Sequence, residues 1–255
     1  MLSGDWSSDV CSSDLLAQLG LQAELCEVVL TVPASFDEVA RELTLEAAGA
    51  AGLSVRLLEE PQAALYVALE SGALAPLRQR LLQEDRRYTY LLVCDVGGGT
   101  TDLSLFRVEL GVQGLAVTRT AVGAHLLLGG DNMDLALAHH LEPSLSAEEP
   151  LESAQFASLV ASCQRAKEAL LSGAKEAIRI SVAGRGSSLI GSTKSTTLTQ
   201  KDAERLVLDG FFPKVARATE PARTRAGLVA MGLPFERDPA ITRHVASFLE
   251  RHLPA

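Results

Sequence analysis

The sequence predicts an α/β protein, and three observations carry that prediction. Between Val28 and Glu70, short β-branched runs alternate with amphipathic segments in the order strand, helix, strand, helix, which builds an α/β layer. A later apolar run ends in an aspartate followed by three consecutive glycines, and the carboxyl end of a strand is where an α/β sheet places ligand chemistry. Two more β-rich stretches follow with turn residues between them, as in an antiparallel meander.

Each element has its own reason. Val28–Val32 (VVLTV) reads as a buried strand, and Pro33 ends it because proline has no N–H for a ladder. Ser35 and Glu38 fit a capping box. Phe36, Val39, Leu43, Ala47 and Ala50 then form one helical stripe, closed by Gly49 and Gly52. Residues 54–58 predict a strand, and Pro61 suits the first turn of a helix running to about Glu70. Residues 71–87, charged and holding Gly72 and Pro76, read as a connection.

Residues 88–94 read as a strand buried on both faces, with residues 103–108 and 115–120 completing the meander. Residues 131–141 predict a helix, and residues 153–171 a longer one with Phe156, Leu159, Val160, Cys163 and Leu170 on one face. Residues 176–182 are a strand candidate, and the Gly- and Ser-rich residues 184–197 a loop or hairpin. Thr199 and Asp202 cap a helix to about Asp209. Beyond it, Pro213, Pro221, Pro234 and Pro239 break the chain into short helices.

Composition narrows the function classes. With 255 residues, 47% of them hydrophobic, the chain can bury one large core or two modest ones. A net charge of -9 argues against nucleic-acid or membrane partners, which need a basic face. Cys11, Cys26, Cys94 and Cys163 show no CxxC spacing, so neither a zinc site nor a disulfide framework is expected, in keeping with a cytoplasmic protein. No apolar run approaches the ~18 residues that cross a bilayer. Residues 1–15 (MLSGDWSSDVCSSDL) repeat Ser-Ser-Asp without a helical or strand period and resemble a translated adapter or junction; a disordered native N-terminus is the alternative.

The chemistry concentrates in Asp95-Val96-Gly97-Gly98-Gly99-Thr100-Thr101-Asp102. Three glycines let backbone N–H groups approach a phosphate with no Cβ in the way, and Thr100 and Thr101 add hydroxyl donors. Asp95 and Asp102 suit Mg²⁺ held mostly through its waters. A glycine-rich hairpin turn is the plainer reading, but it has no use for two flanking aspartates and two threonines.

That loop resembles the second phosphate loop of the actin-like ATPases as a whole, and its flanks select one branch. VLTVPASF at 29–36, Arg41 in AREL, LLEEPQAALY at 57–66, HLLLGGDNMD at 125–134 and CQRAKEALLS at 163–172 resemble, in order and spacing, the DnaK-like seventy-kilodalton heat-shock chaperones. The resemblance runs from about Cys26 to Gly210 and weakens after Gly184; residues 228–249 are similar to divergent bacterial members. It implies an actin-like ATPase fold with a ribonuclease H-like motif. It also implies ATP or ADP with Mg²⁺ as ligands, and unfolded client proteins and co-chaperones as partners of the parent protein. By the same resemblance, Glu60 lies beside the attacking water, where a carboxylate suits phosphoryl transfer. Pro33 and Arg41 match a switch and a relay, Gly129 and Gly130 a pair that closes over the nucleotide, and Lys167 a nucleoside contact. Read as residues alone, Glu60 is a helix N-terminal acid, Pro33 a strand terminator, Arg41 a solvated helix residue and the glycine pair a helix-entry turn.

Departures from the pattern matter too. Gln164 stands where the family usually has an acid, Glu168 where an arginine stacks on adenine, and Leu171 where a serine stands, which puts adenine binding in question. Nothing before Val28 supplies the family's first phosphate loop or its lysine, and its Gly-Gly-Ser motif and peptide-binding domain have no counterpart here. The implied layout is residues 1–15 outside the family, 16–71 the end of lobe I, 72–86 a connection, 87–140 the phosphate-loop sheet of lobe II, and 141–255 its nucleoside-contacting and C-terminal helices. On that layout β-strand 28–32 has an open apolar edge, so a poorly stable or aggregating chain without ATP turnover of its own is expected. An actin-like filament or cell-division ATPase, and a non-catalytic interaction scaffold, are the competing readings.

Overall fold

The computed structural model describes residues 27–112, 114–146, 150–173, 175–183, 193–222 and 236–254. The junction-like residues 1–15, the segment to residue 26, the Gly/Ser-rich residues 184–192 and residues 228–235 of the C-terminal resemblance lie outside them. The described chain divides into two units: residues 27–93 with 104–124, and residues 94–103 with 125–254.

In the first unit, β1 (Val28–Val32) and β2 (Val55–Glu59) pair in parallel, from Val28 beside Val55 to Val32 beside Glu59. The helix between them, α1 (Glu38–Ala50), is capped by Asp37 rather than Ser35. The Asp37 Oδ1 accepts the Ala40 N–H at 2.8 Å, and its charge also suits the helix N-terminus. The closing glycine is as expected, since Gly52 takes a φ of 76°, where a Cβ is strained. The predicted stripe is not buried: Val39 and Leu43 are exposed while Ala48 is buried. The cause is geometric, because two strands ~4.8 Å apart make a strip narrower than the ~10 Å helix above them.

The helix α2 (Glu60–Glu70) follows β2 directly, with Pro61 in its first turn as predicted. The stretch read as a connection contains a helix, α3 (Ala75–Gln83), entered through Pro76 and anchored by Leu81 at 2% exposure. Proline opens a helix as readily as it ends one. Then β3 (Tyr88–Val96), β4 (Thr101–Gly111) and β5 (Gly114–Val122) form a three-stranded sheet in that order. The antiparallel register of β4 and β5 runs from Ser104 opposite Val122 to Gly111 opposite Gly114, the meander expected. The strand buried on both faces is β4, the central one. Its residues Thr101 to Phe106 are all buried, whereas β3 at the edge exposes Tyr88.

In the second unit, α4 (Gly130–Leu145) and α5 (Ser153–Leu171) pack against a hairpin of β6 (Ala177–Val182) and β7 (Lys194–Thr199). Leu137, Leu141, Leu159, Cys163, Leu170 and Leu198 form its core, with Phe156 and Val160 packed at the margin, so the predicted face of α5 is the buried one. Helix α6 (residues 200–211) includes a π-helical turn at Glu204–Leu208. As expected, Thr199 caps it, accepting the Asp202 N–H at 3.1 Å. Of the short C-terminal helices expected, the described residues hold one of three turns, α7 (Ile241–His252), while residues 223–235 lie outside them. No helix among the described residues is long and apolar enough to cross a membrane.

Asp238 fastens that helix. At 2% exposure it accepts the Ala222 N–H at 2.6 Å, the Ala240 N–H at 3.0 Å and Nη1 of Arg243 at 3.0 Å. Burial pushes its carboxyl up, but the two N–H groups and the guanidinium together hold it below the usual carboxylate range. A carboxyl depressed on folding contributes stability above its unfolded pKa of ~3.9, and that stability is lost as pH falls through the folded value. We expect Asp238→Ala to cost about 2–3 kcal/mol in urea unfolding, by stranding donors. The variant also loses part of the acid limb of a Tm–pH profile; an acid limb identical to that of the native chain contradicts the assignment.

Candidate functional site

The glycine loop belongs to the second unit. With β3 ending at Val96 and β4 starting at Thr101, residues 97–100 form a tight turn, closed by the Gly97 N–H donating to Thr100 O at 2.8 Å. The entry to α4 braces it from outside. Gly130 N–H donates to Gly97 O at 2.9 Å, and Asp131 N–H to Gly98 O at 2.8 Å. A Cβ on Gly129 would stand 2.4 Å from Gly98 O and 2.6 Å from Gly97 O, so only glycine fits. Its φ of -165° is ordinary extended backbone; close approach, not conformation, imposes the residue. Asn132 Oδ1 accepts the Gly129 N–H at 2.7 Å and fixes the helix entry.

With the Gly97 and Gly98 carbonyls turned to α4, the N–H groups of Gly98, Gly99 and Thr100 find no acceptor among the described residues. All three loop glycines are exposed. Consecutive unpaired N–H groups in a turn are a kind of backbone that can take an anion.

The structure separates the residues predicted around the loop. Asp95 is exposed at the end of β3. Asp102 is 7% exposed, its Oδ1 lying 3.0 Å from His125 Nδ1. Thr101 was expected as a hydroxyl donor to phosphate, but it is fully buried and donates to Leu128 O at 2.7 Å. Residue Thr101 begins the buried strand, so its hydroxyl ties β4 to the segment after β5; Thr100 stays in the turn. Thr101 also exchanges both backbone hydrogen bonds with Leu126, at 2.9 and 3.1 Å. Among the described residues no three His, Cys, Asp or Glu side chains form a metal cluster. An exposed Asp95 carboxylate nevertheless fits an ion that keeps most of its waters, as Mg²⁺ does.

Lys167, on α5, lies against the glycine pair. Its Nζ donates to Gly130 O at 3.2 Å and lies 2.9 Å from Asp134 Oδ1, with side-chain exposures of 13% and 3%. Burial pushes the Asp134 carboxyl up, and Lys167 opposes that shift. Beneath them the Cys163 thiol is pushed up to about 12, by burial first and the Asp134 charge second. Gln164 and Glu168 are exposed on the same helix. His125, Asn132 and Asp134 were not singled out beforehand, although all three fall in HLLLGGDNMD, where an Asn three residues after a glycine is a legible cap.

The first unit holds the other predicted residues. Pro33 ends β1, and its carbonyl accepts the Phe36 N–H at 3.2 Å. Glu60 is the first residue of α2. Arg41 is not merely solvated: its Nη2 donates to Glu59 Oε1 at 2.7 Å and its Nε to Phe36 O at 3.2 Å. Arg119 of β5 also donates to Glu59, through Nη1 and, at 3.5 Å, Nη2. One carboxylate, 13% exposed, thus serves two guanidiniums.

Two predictions test these contacts. Gly129→Ala is expected to cost about 1–3 kcal/mol, because backbone must move. Thr101→Val, which removes one hydroxyl, is expected to cost about 1 kcal/mol. A Gly129→Ala loss no larger than that of Thr101→Val in urea unfolding contradicts the close approach. Glu59→Ala is expected to cost about 2 kcal/mol and more than Arg41→Met, which leaves the Arg119 pair in place. The reverse order in thermal unfolding removes the shared carboxylate.

Comparison with known proteins adds relatives to this geometry. A family model described as Hsp70 protein matches residues 14–229. A chaperone protein HscA homolog of Colwellia psychrerythraea is 35% identical over 198 residues, covering 77% of this chain and 28% of that protein. The corresponding Bordetella petrii protein is 33% identical over 228 residues, covering 87% and 32%. The chain therefore spans less than a third of the length of these curated relatives.

Proposed function

The chain belongs to the Hsp70 family, and on that premise we propose that it is part of the nucleotide-binding domain of a cytoplasmic chaperone ATPase, with residues 97–100 as its phosphate cradle. The fold is that domain's actin-like ATPase fold, in part. One observation carries the proposal: the consecutive N–H groups of Gly98, Gly99 and Thr100, which lie in a turn whose glycines are exposed and have no protein acceptors among the described residues. Such groups meet phosphate oxygens with no Cβ between, and they are held in place by backbone bonds before any ligand arrives.

The residues divide the work by chemistry. Gly97 gives its carbonyl and N–H to keep the turn closed, and Gly98 to Thr100 offer donors. Gly129 and Gly130 close the turn from α4. Asp95 is proposed as the carboxylate that orients the waters of Mg²⁺, with Asp102 behind it, aligned by His125. Mg²⁺ supplies neutralisation of phosphate charge when bound. Glu60 is proposed as the carboxylate that orients the attacking water, and Pro33 and Arg41 as the switch and relay that carry nucleotide state away from it. For the protein as a whole, ATP hydrolysis coupled to binding of unfolded clients is the proposed activity, with co-chaperones as further partners. Kinship with chaperones over 87% of the chain favours this over a filament-forming ATPase.

Calorimetric titration of the 255-residue chain with ADP and with pyrophosphate, each with Mg²⁺, tests the reading. Both are expected to bind, and Gly99→Val to weaken both at least about tenfold, by placing a branched side chain where phosphate oxygens approach. The variant has room to fold, because a Cβ at Gly99 meets only Asp131 Oδ2, at 3.9 Å. No heat of binding for either ligand at millimolar concentration excludes the proposal and leaves the scaffold reading.

A further inference from the structure

The glycine loop has no side chains of its own with which to hold its shape, so its geometry must be imposed by its neighbours. The neighbours form a chain of three links. Gly97 and Gly98 are held by the N–H groups of Gly130 and Asp131, at 2.9 and 2.8 Å. Gly130 is held in turn through its carbonyl, which accepts from Lys167 Nζ at 3.2 Å. Lys167 is held by Asp134, one turn further along α4 from Gly130, at 2.9 Å. The last contact is an ion pair nearly closed to water, where the attraction between opposite charges is stronger than at an exposed surface.

We infer that Lys167 is a positioning residue for the phosphate loop, a cross-brace from α5 to the Gly129–Gly130 turn, and not a nucleoside contact. The inference rests on the phosphate reading of residues 97–100. Three features of the site support it. The Lys167 ammonium has two oxygen partners, a carbonyl and a carboxylate, both on α4. Its side chain is 13% exposed, which leaves little of it for a ligand. The neighbours that would flank a nucleoside contact, Gln164 and Glu168, are exposed, and neither supplies a stacking cation. Lys167 therefore acts through Gly130 on Gly97, and its effect falls on the phosphate end of any ligand.

Residue-by-residue amide exchange and ligand titration of the whole chain test this together. Lys167→Met is expected to speed exchange of the Gly130 and Asp131 N–H groups about tenfold, with the β6–β7 amides unchanged. It is expected to weaken ADP and pyrophosphate by the same factor, a pattern that general destabilisation does not impose and a nucleoside contact forbids. Should Lys167→Met fail to fold, Asp134→Asn keeps the lysine and its carbonyl bond and is expected to speed the same two amides several-fold. Unchanged exchange at Gly130 and Asp131, or a loss confined to ADP, overturns the inference. If the native chain binds neither ligand, the phosphate reading falls, and the amide exchange alone decides whether the brace exists.

Discussion

Backbone meeting backbone without a side chain between is the constraint on which the second unit turns. Gly129 lies so close to the Gly97 and Gly98 carbonyls that a methyl group there would overlap both oxygens. That closeness lets Gly130 and Asp131 direct their N–H groups at those same oxygens. Helix α4 thus spends two of its otherwise unpaired N-terminal donors on the loop, and Asn132 satisfies a third donor beside them. The consequence for the loop is polarity by elimination. The Gly97 and Gly98 carbonyls are occupied by α4, which leaves the N–H groups of Gly98, Gly99 and Thr100 as donors that no described residue uses. A loop of three glycines would otherwise sample many conformations at little cost.

Much of this was legible in the sequence, because the signals were local. The limits of β1 and α5 follow from apolar period and from Pro33, and they match the structure residue for residue. The misreadings share a different cause: each depended on what lay across from the element. Val39 and Leu43 have the period of a buried stripe, yet a two-stranded sheet covers only part of α1. Tyr88–Val96 is as apolar as a central strand, but its place at a sheet edge is a fact of pairing. Ser35 and Asp37 both fit a cap, and the chain's path after Pro33 chooses the latter. Thr101 adjoins glycines, which suggests a ligand group, whereas strand burial turns it inward.

Electrostatics in the two units follows one rule, that a half-buried charge is kept where it can be shared. Glu59 receives Arg41 and Arg119, whose two guanidinium charges exceed its single negative one. That excess is tolerable because both guanidiniums keep about a third of their surface in water. Asp134 and Lys167 are more deeply enclosed and are matched one to one, with a backbone carbonyl taking a further donor of the ammonium. Asp238 goes furthest, offsetting its burial with two N–H groups as well as a guanidinium. Asp238, the most enclosed of the three, is the one that adds backbone N–H groups to its guanidinium, which offsets its desolvation.

Enclosure of a side chain bears on how far family membership fixes chemistry. Within the residues that match the Hsp70 family, Gly129 is the position where backbone contact leaves no freedom in residue choice. Glu168, Gln164 and Leu171 depart from the pattern on α5, where two of the three are exposed and a substitution costs the fold almost nothing. Lys167 lies among them, and it is the one whose charge is enclosed and paired. Packing thus accounts for Lys167 without a ligand, whereas the loop's N–H groups, which no packing contact uses, are what carries the phosphate proposal.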